Sequence, residues 1–181
     1  FTMVNAGIGA TGSLIGVHRM PNDILSHNVD LLFVEYSVND SETDESAMAA
    51  YESILYRAWN HESQPAIITL SFITQLHQSA QHGHYAIAEH YDIPMISFGD
   101  VVRELVANRA LDTTVENSDG TTTTVSTWEK LFADSVHPSD LGHKVISQLI
   151  ASYLSDTAKW TSVILADGRT ESDFSEIFHS I

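Results

Sequence analysis

The sequence predicts an α/β fold built on a parallel sheet. Three observations carry that reading. Short apolar runs alternate with stretches of helical periodicity along most of the chain. The connections between them are short, as in parallel sheets with helices on both faces. The loops that leave the apolar runs hold glycine, asparagine, aspartate and histidine, and in such sheets the functional site lies at the carboxyl ends of the strands. At 181 residues the chain has the length of one domain with a sizeable core.

Residues 1–5, Phe-Thr-Met-Val-Asn, read as a strand already in progress, so residues upstream of them are expected. The glycine-rich turn Ala6-Gly7-Ile8-Gly9-Ala10-Thr11-Gly12-Ser13 leads into a helix over 14–27. Residues 30–36 form a second strand, whose near-continuous apolar character suits burial on both faces. It ends at Ser37-Val38-Asn39-Asp40. Residues 46–61 repeat as an amphipathic helix, with Met48, Tyr51, Ile54, Leu55 and Ala58 on one face. A third strand is expected over 65–70, a helix over 75–90, a short fourth strand over 94–97 and a helix over 101–108. The Thr-rich stretch 112–125 breaks the alternation. Ser118-Asp119-Gly120 at its centre suits a β-hairpin, and a disordered surface loop fits the same composition. Residues 128–132 read as a helical turn. Asp134-Ser135-Val136-His137-Pro138 follows, and then Ser139 and Asp140 are good N-cap residues for a helix over 141–154. Beyond it a strand over 160–165 and a weak helix over 171–181 are expected.

The charge balance excludes some partners. Eight Lys and Arg stand against 24 Asp and Glu, a net charge of −16. Nucleic acid and anionic membrane surfaces need clustered cations and are disfavoured. No apolar run approaches the roughly 20 residues of a membrane span. There is no cysteine, hence no disulfide framework, thiolate nucleophile or zinc-thiolate site.

The acid–histidine loop carries chemistry. Asp134, three residues before His137, can hold one ring nitrogen and fix the tautomer, leaving the other to take a proton from a serine hydroxyl. Pro138 disfavours a helical backbone at His137, so the ring stands on a loop. A polar loop before a helix would use the same residues, so the other strand-end loops have to be weighed with it. The backbone N–H of Gly9 or Ala10 can donate to the oxyanion of a tetrahedral intermediate, because small residues let a carbonyl approach the main chain. The Asn39 amide can supply a second donor. Losing one such donor typically costs roughly 2.7–4 kcal/mol of transition-state stabilisation. Asn39 and Asp40 can also serve as a cap or turn, and Asp40 is assigned that role. A phosphate cradle at the glycines is disfavoured. No acid suited to a ribose ends the next strand, and no lysine follows as in a P-loop.

Three segments carry a resemblance: Asn5-Ala6-Gly7-Ile8-Gly9-Ala10-Thr11-Gly12-Ser13, Phe33-Val34-Glu35-Tyr36-Ser37-Val38-Asn39-Asp40 and Asp134-Ser135-Val136-His137-Pro138. In this order they resemble the second, third and fifth conserved blocks of the SGNH hydrolase superfamily of GDSL-like lipases and esterases, over residues 2–154. The wording is similar to that of esterases that remove acetyl groups from sugars and polysaccharides. The resemblance implies a three-layer α/β/α flavodoxin-like fold and a Ser-His-Asp hydrolase with no metal or other cofactor. It implies Asp134 and His137 as triad acid and base, and Asn39 as the oxyanion donor of the third block. Ala10, beside Gly9, falls where the family usually has the second-block glycine, and alanine keeps the backbone N–H. Ser37 replaces the glycine of the family's Gly-x-Asn-Asp, a tolerable change.

The family's first block, with the nucleophilic serine, is expected a few tens of residues before Asn5. No internal serine replaces it. Ser13 lies inside the second-block turn, Ser71 lacks a glycine elbow, and Ser97 falls elsewhere in the family's order. In that family the serine strand lies between the first two strands of this chain. Residues 1–5 and 31–36 are therefore expected to flank a strand from outside residues 1–181. The serine would come from upstream residues, a companion segment or a homo-oligomer. On this reading 1–155 is an N-terminally incomplete SGNH domain, and 156–181 is an extension or the start of a further element.

Two functional classes follow. The favoured one is a serine esterase acting on short-chain, acetyl esters of small molecules or polysaccharides. Acetyl transfer to an acceptor would use the same residues. The other is a non-catalytic binding or scaffold module on the same fold. Lesser features are His77, His82 and His84, read as a solvated helix face rather than a metal site. Arg19 is a candidate partner for a site carboxylate, and Trp128 a core residue beside the acid–histidine loop.

Overall fold

The computed structural model describes residues 2–158. Its centre is a parallel sheet of three strands, β1 (Leu31–Val34), β2 (Ala66–Ser71) and β3 (Met95–Ser97), in that order. Leu31 pairs with Ala66 and Val34 with Thr69, and then Thr69 pairs with Met95 and Ser71 with Ser97. The helices are α1 (Ser13–Asp23), α2 (Glu45–Trp59), α3 (Gln81–His90), α4 (Phe98–Ala107), α5 (Thr127–Leu131) and α6 (Asp140–Ala158). A separate antiparallel hairpin joins β4 (Thr113–Glu116) to β5 (Thr122–Val125).

Two apolar clusters make the layers. Val17 and Met20 of α1, Tyr51, Ile54, Leu55 and Ala58 of α2, and Ala88 of α3 pack against Leu32, Val34 and Ile67. Phe98 and Val102 of α4, Leu131 of α5, Phe132 and Ile146 of α6 gather around Ile73. Successive residues of β2 point to opposite faces, and Ile67, Ile68 and Leu70 are all buried, so this strand is covered on both sides. Local chemistry starts the helices where the sheet needs them. Asp44 accepts from the N–H groups of Ser46 (2.9 Å) and Ala47 (3.3 Å) and opens α2. Ser97 accepts from Asp100 N–H (3.0 Å) and turns β3 directly into α4. Ser126 and Glu129 close a capping box on α5.

Several expectations are corrected. Residues 2–5 are not a strand; the described chain offers them no neighbour to pair with. The helix expected over 14–27 ends at Asp23, and a 3-10 turn, Leu25–His27, stops at Asn28 in the left-handed region. The helix expected from residue 75 begins at Gln81. The preceding residues form a loop, because Thr74 N–H bonds to Gln78 O (3.1 Å), Ser79 Oγ donates to Phe72 O (2.7 Å) and Gln75 N–H is taken by Ser135 O (2.9 Å). The stretch 112–125 is a hairpin clamped at its base. One Asp112 oxygen accepts from Thr127 N–H (2.8 Å) and Oγ1 (2.9 Å), and the other from Arg109 (2.7 Å). Among the described residues β1 is covered on one face only. Leu32 and Val34 are buried but Phe33 is 39% exposed, because α4 and α6 contact β2 and β3. The expected elements at 160–165 and 171–181 lie outside the described residues. α6 runs without a break to Ala158.

Candidate active site

The acid–histidine loop is ordered by its own acid. Asp134 Oδ1 accepts from the N–H groups of Val136 (2.8 Å) and His137 (2.7 Å), while Oδ2 meets His137 Nδ1 at 2.8 Å. These bonds, the His137 backbone first, hold the Asp134 carboxyl down to about 2. With Nδ1 on the carboxylate, the ring turns Nε2 away from Asp134. The His137 side chain is 74% exposed and that of Asp134 56%. The loop is fixed at both ends. Ala133 N–H donates to His137 O (2.9 Å), Ser139 N–H to Leu131 O (2.9 Å) and Ser139 Oγ to Lys130 O (2.5 Å). Pro138 bridges back to Phe132.

The other two candidate loops stand at the start of α1 and the end of β1. Gly9 and Ala10 form an exposed turn, with Ala10 in the left-handed region at φ 58°. Thr11 Oγ1 holds the turn through Ile8 O (2.7 Å). Asn39 is exposed, and its side-chain amide makes no hydrogen bond among the described residues. Its backbone N–H and that of Asp40 donate to Tyr36 O (3.0 and 2.9 Å). Asp40 caps α1 from a distance, with Oδ1 accepting from Ser13 N–H at 2.8 Å. Gly12 makes room for this, since a Cβ there would lie 2.5 Å from Asp40 Oδ1.

Hydrogen bonds connect the three loops. Asp40 ties the third block to α1. Ser37 ties it to the loop after β2: its hydroxyl accepts from Phe72 N–H (2.7 Å) and donates to Glu35 (2.6 Å), and its carbonyl accepts from Ala80 N–H (2.6 Å). Burial pushes the Glu35 carboxyl up, against the two Ser37 bonds that lower it. Gln75 N–H then reaches Ser135 O in the acid–histidine loop (2.9 Å). Among the described residues Asp134 and His137 are thus in direct contact, while Gly9, Ala10 and Asn39 connect to them only through this chain of bonds. Among the described residues no serine hydroxyl bonds to His137. Ser13 donates to Ala47 O (2.8 Å), Ser71 to Gln81 (3.1 Å), and Ser97 caps α4.

Other candidates fall differently. His77 lies in the loop before α3, edge-on to Trp128 with centroids 5.0 Å apart, and Trp128 packs on Phe132. His84 is not on a solvated face. It is buried, with Nε2 on Asp40 Oδ2 at 3.0 Å. Arg19 pairs with Asp23 on its own helix rather than with a site carboxylate. The ties through Ser37, Gln75 and His84 were not foreseen from the sequence. They join residues far apart in the chain and leave no local pattern.

No protein-family model matches the sequence, and no match is found among curated proteins. Solved structures do match. Two structures of a two-domain esterase (CEX) active on acetylated mannans, one co-crystallized with mannopentaose, are 32% and 31% identical, with TM-scores of 0.71 and 0.73. The match covers 86% and 88% of this chain but 38% and 39% of that one, so the chain spans under half of that protein's length. An acetyl xylan esterase, AlAXEase, shares the fold at 16% identity and a TM-score of 0.61, over 82% of this chain and 78% of that one. A possible lipase from Chitinophaga pinensis does so at 12% and 0.52, over 82% and 80%. The glycine turn, the Asn39 loop and the acid–histidine loop stand in this order on a fold shared with these esterases, an arrangement consistent with a member of the SGNH superfamily of GDSL-like esterases.

Proposed function

We propose that the chain is the larger part of a serine esterase domain that hydrolyses acetyl esters on carbohydrates. The observation that carries this is the Asp134–His137 pair: a carboxylate held in a loop, 2.8 Å from Nδ1, with the ring exposed. In this reading His137 takes the proton of the attacking serine through Nε2 and returns it to the leaving sugar hydroxyl. Asp134 keeps the ring in the required tautomer and stabilises the imidazolium. Asn39 and the N–H groups of Gly9 and Ala10 receive the oxyanion. The serine comes from a segment outside the 181 residues, on a strand that adds to the open edge of β1. The likeness to an esterase active on acetylated mannans supports the acyl group and the carbohydrate. No step requires a metal.

The test is turnover of p-nitrophenyl acetate and of longer acyl esters by the intact protein, with His137→Ala alongside. We expect activity confined to short chains and a loss on the order of 10³-fold or more in the variant, as for removal of a triad base. Equal rates, or none in the wild type, would favour the second reading, a non-catalytic binding module. That reading draws on the absence of a serine partner for His137 among the described residues.

A further inference from the structure

A second aspartate–histidine pair lies beneath the candidate oxyanion donors. His84 Nε2 meets Asp40 Oδ2 at 3.0 Å, with the two side chains 0% and 2% exposed. The imidazole lies flat on the Tyr51 ring, centroids 3.6 Å apart and planes within 3°. Among the described residues His84 Nδ1 has no hydrogen-bond partner, which fits a ring whose proton is on Nε2 and directed at Asp40. No solvent or substrate reaches this pair, so it is not a second catalytic dyad. Among the described residues the ring's one hydrogen bond is to Asp40, and Asp40 is adjacent to Asn39 and holds Ser13 N–H at the start of α1 (2.8 Å). Ser13 follows Gly9 and Ala10 by only a few residues. Both sets of candidate donors therefore hang on one carboxylate, and His84 fixes the free oxygen of that carboxylate. α3 holds His84 itself, through His84 N–H to Ala80 O (3.0 Å), and Ala80 N–H returns to Ser37 O (2.6 Å).

We propose that His84 is a positioning residue for the oxyanion site: through Asp40 it sets the Asn39 turn and the turn that carries Gly9 and Ala10. Its kinetic consequence rests on the esterase reading; its structural one does not. The first N–H groups of a helix have no acceptor within the helix, so the Ser13 amide owes its hydrogen bond to Asp40, and its exchange reports that clamp.

The experiment uses the intact protein with His84→Ala, His84→Gln and Tyr51→Phe. Gln retains an N–H donor near the position of Nε2. We expect the Ser13 amide to exchange at least tenfold faster in His84→Ala than in wild type, and near the wild-type rate in His84→Gln. On p-nitrophenyl acetate, kcat should fall roughly ten- to a hundredfold in His84→Ala, the scale of a misplaced catalytic group. KM should stay within twofold, His84→Gln should recover most of the loss, and Tyr51→Phe should match wild type. If His84→Ala does not fold, His84→Leu, which fills the space without a donor, takes its place. Unchanged Ser13 exchange overturns the proposal, and so does a lowered melting temperature with wild-type kcat. A wild-type protein without turnover would count against the esterase reading, and the exchange result would then decide the positioning role alone.

Discussion

Asp134 and Ala10 make opposite kinds of demand on the backbone. Asp134 accepts three hydrogen bonds from its own loop, which hold its carboxyl at about 2 against an ordinary 3.8. A carboxyl depressed by folding binds its proton less readily than in the unfolded chain. Its contribution to the loop is therefore complete above about pH 3.8 and is lost as pH falls through about 2. Carboxyl NMR titration should find Asp134 still ionised at about pH 3; a midpoint at or above its ordinary value would contradict the three-bond loop. Ala10 sits at φ 58°, where an L side chain costs about 1–2 kcal/mol. Ala10→Gly removes that strain but adds freedom to the unfolded chain, worth about 0.4–1 kcal/mol. The net gain should lie between about 0 and 1.6 kcal/mol in denaturant unfolding, with kcat/KM within twofold because the N–H remains. A destabilised Gly variant would mean that the turn is not left-handed at this residue. The sequence shows that the alanine stands where the family has glycine; only the backbone shows what the substitution costs.

At the scale of elements, α6 presses on the loop it follows. A Cβ on Gly142 would collide with the Leu131 carbonyl oxygen and lie 2.9 Å from Pro138 Cβ. Leu131 O also accepts Ser139 N–H, so the glycine lets the first turn of α6 sit against the strap that holds His137. Gly142→Ala should destabilise by about 1–3 kcal/mol, the usual range for overpacking. It should also lower kcat more than it changes KM, since the histidine moves and the binding surface does not. A stable variant with wild-type kcat would show the contact to be slack. The helix start at Ser139-Asp140 is legible in the sequence because a cap and its amides lie within one turn. The start of α3 is not. Residues 75–80 have helical composition, and what keeps them out of the helix is a Gln75–Ser135 bond set by tertiary structure. The hairpin at 112–125 is legible from its central Ser118-Asp119-Gly120, but its Thr-rich strands are exposed, and the clamp that orders it, Asp112 on Thr127, lies at its base and leaves no local pattern.

For the whole molecule the informative feature is the sheet's open side. β1 pairs with β2 along one edge and with no strand on the other among the described residues. Ala66 N–H donates to Asp30 O (2.9 Å), so Asp30 and its alternates face β2. Leu31 and Phe33, one residue out of phase, turn their N–H and C=O groups to the open edge. Phe33 also presents its ring to solvent at 39% exposure, and Ile8, Leu14 and Ile15 around the start of α1 are exposed as well. An uncapped parallel strand with an apolar face is an edge that proteins normally cover. The sequence expectation that this strand is buried on both faces rested on its apolar run, and the run is explained if residues outside these bring a strand to the open edge and a further element over the Phe33 face. The proposed serine-bearing strand would fill this place and bring its nucleophile to the carboxyl end of the sheet, level with Asn39. In the intact protein the amides of Leu31 and Phe33 should then exchange as slowly as those of β2. Phe33→Asp should cost about 2–4 kcal/mol there, as for a charge placed in a core, against well under 1 kcal/mol in a chain that leaves the face open. Fast exchange at both amides of the intact protein, with Phe33→Asp tolerated, would put the serine elsewhere and leave His137 without the nucleophile this geometry assigns it.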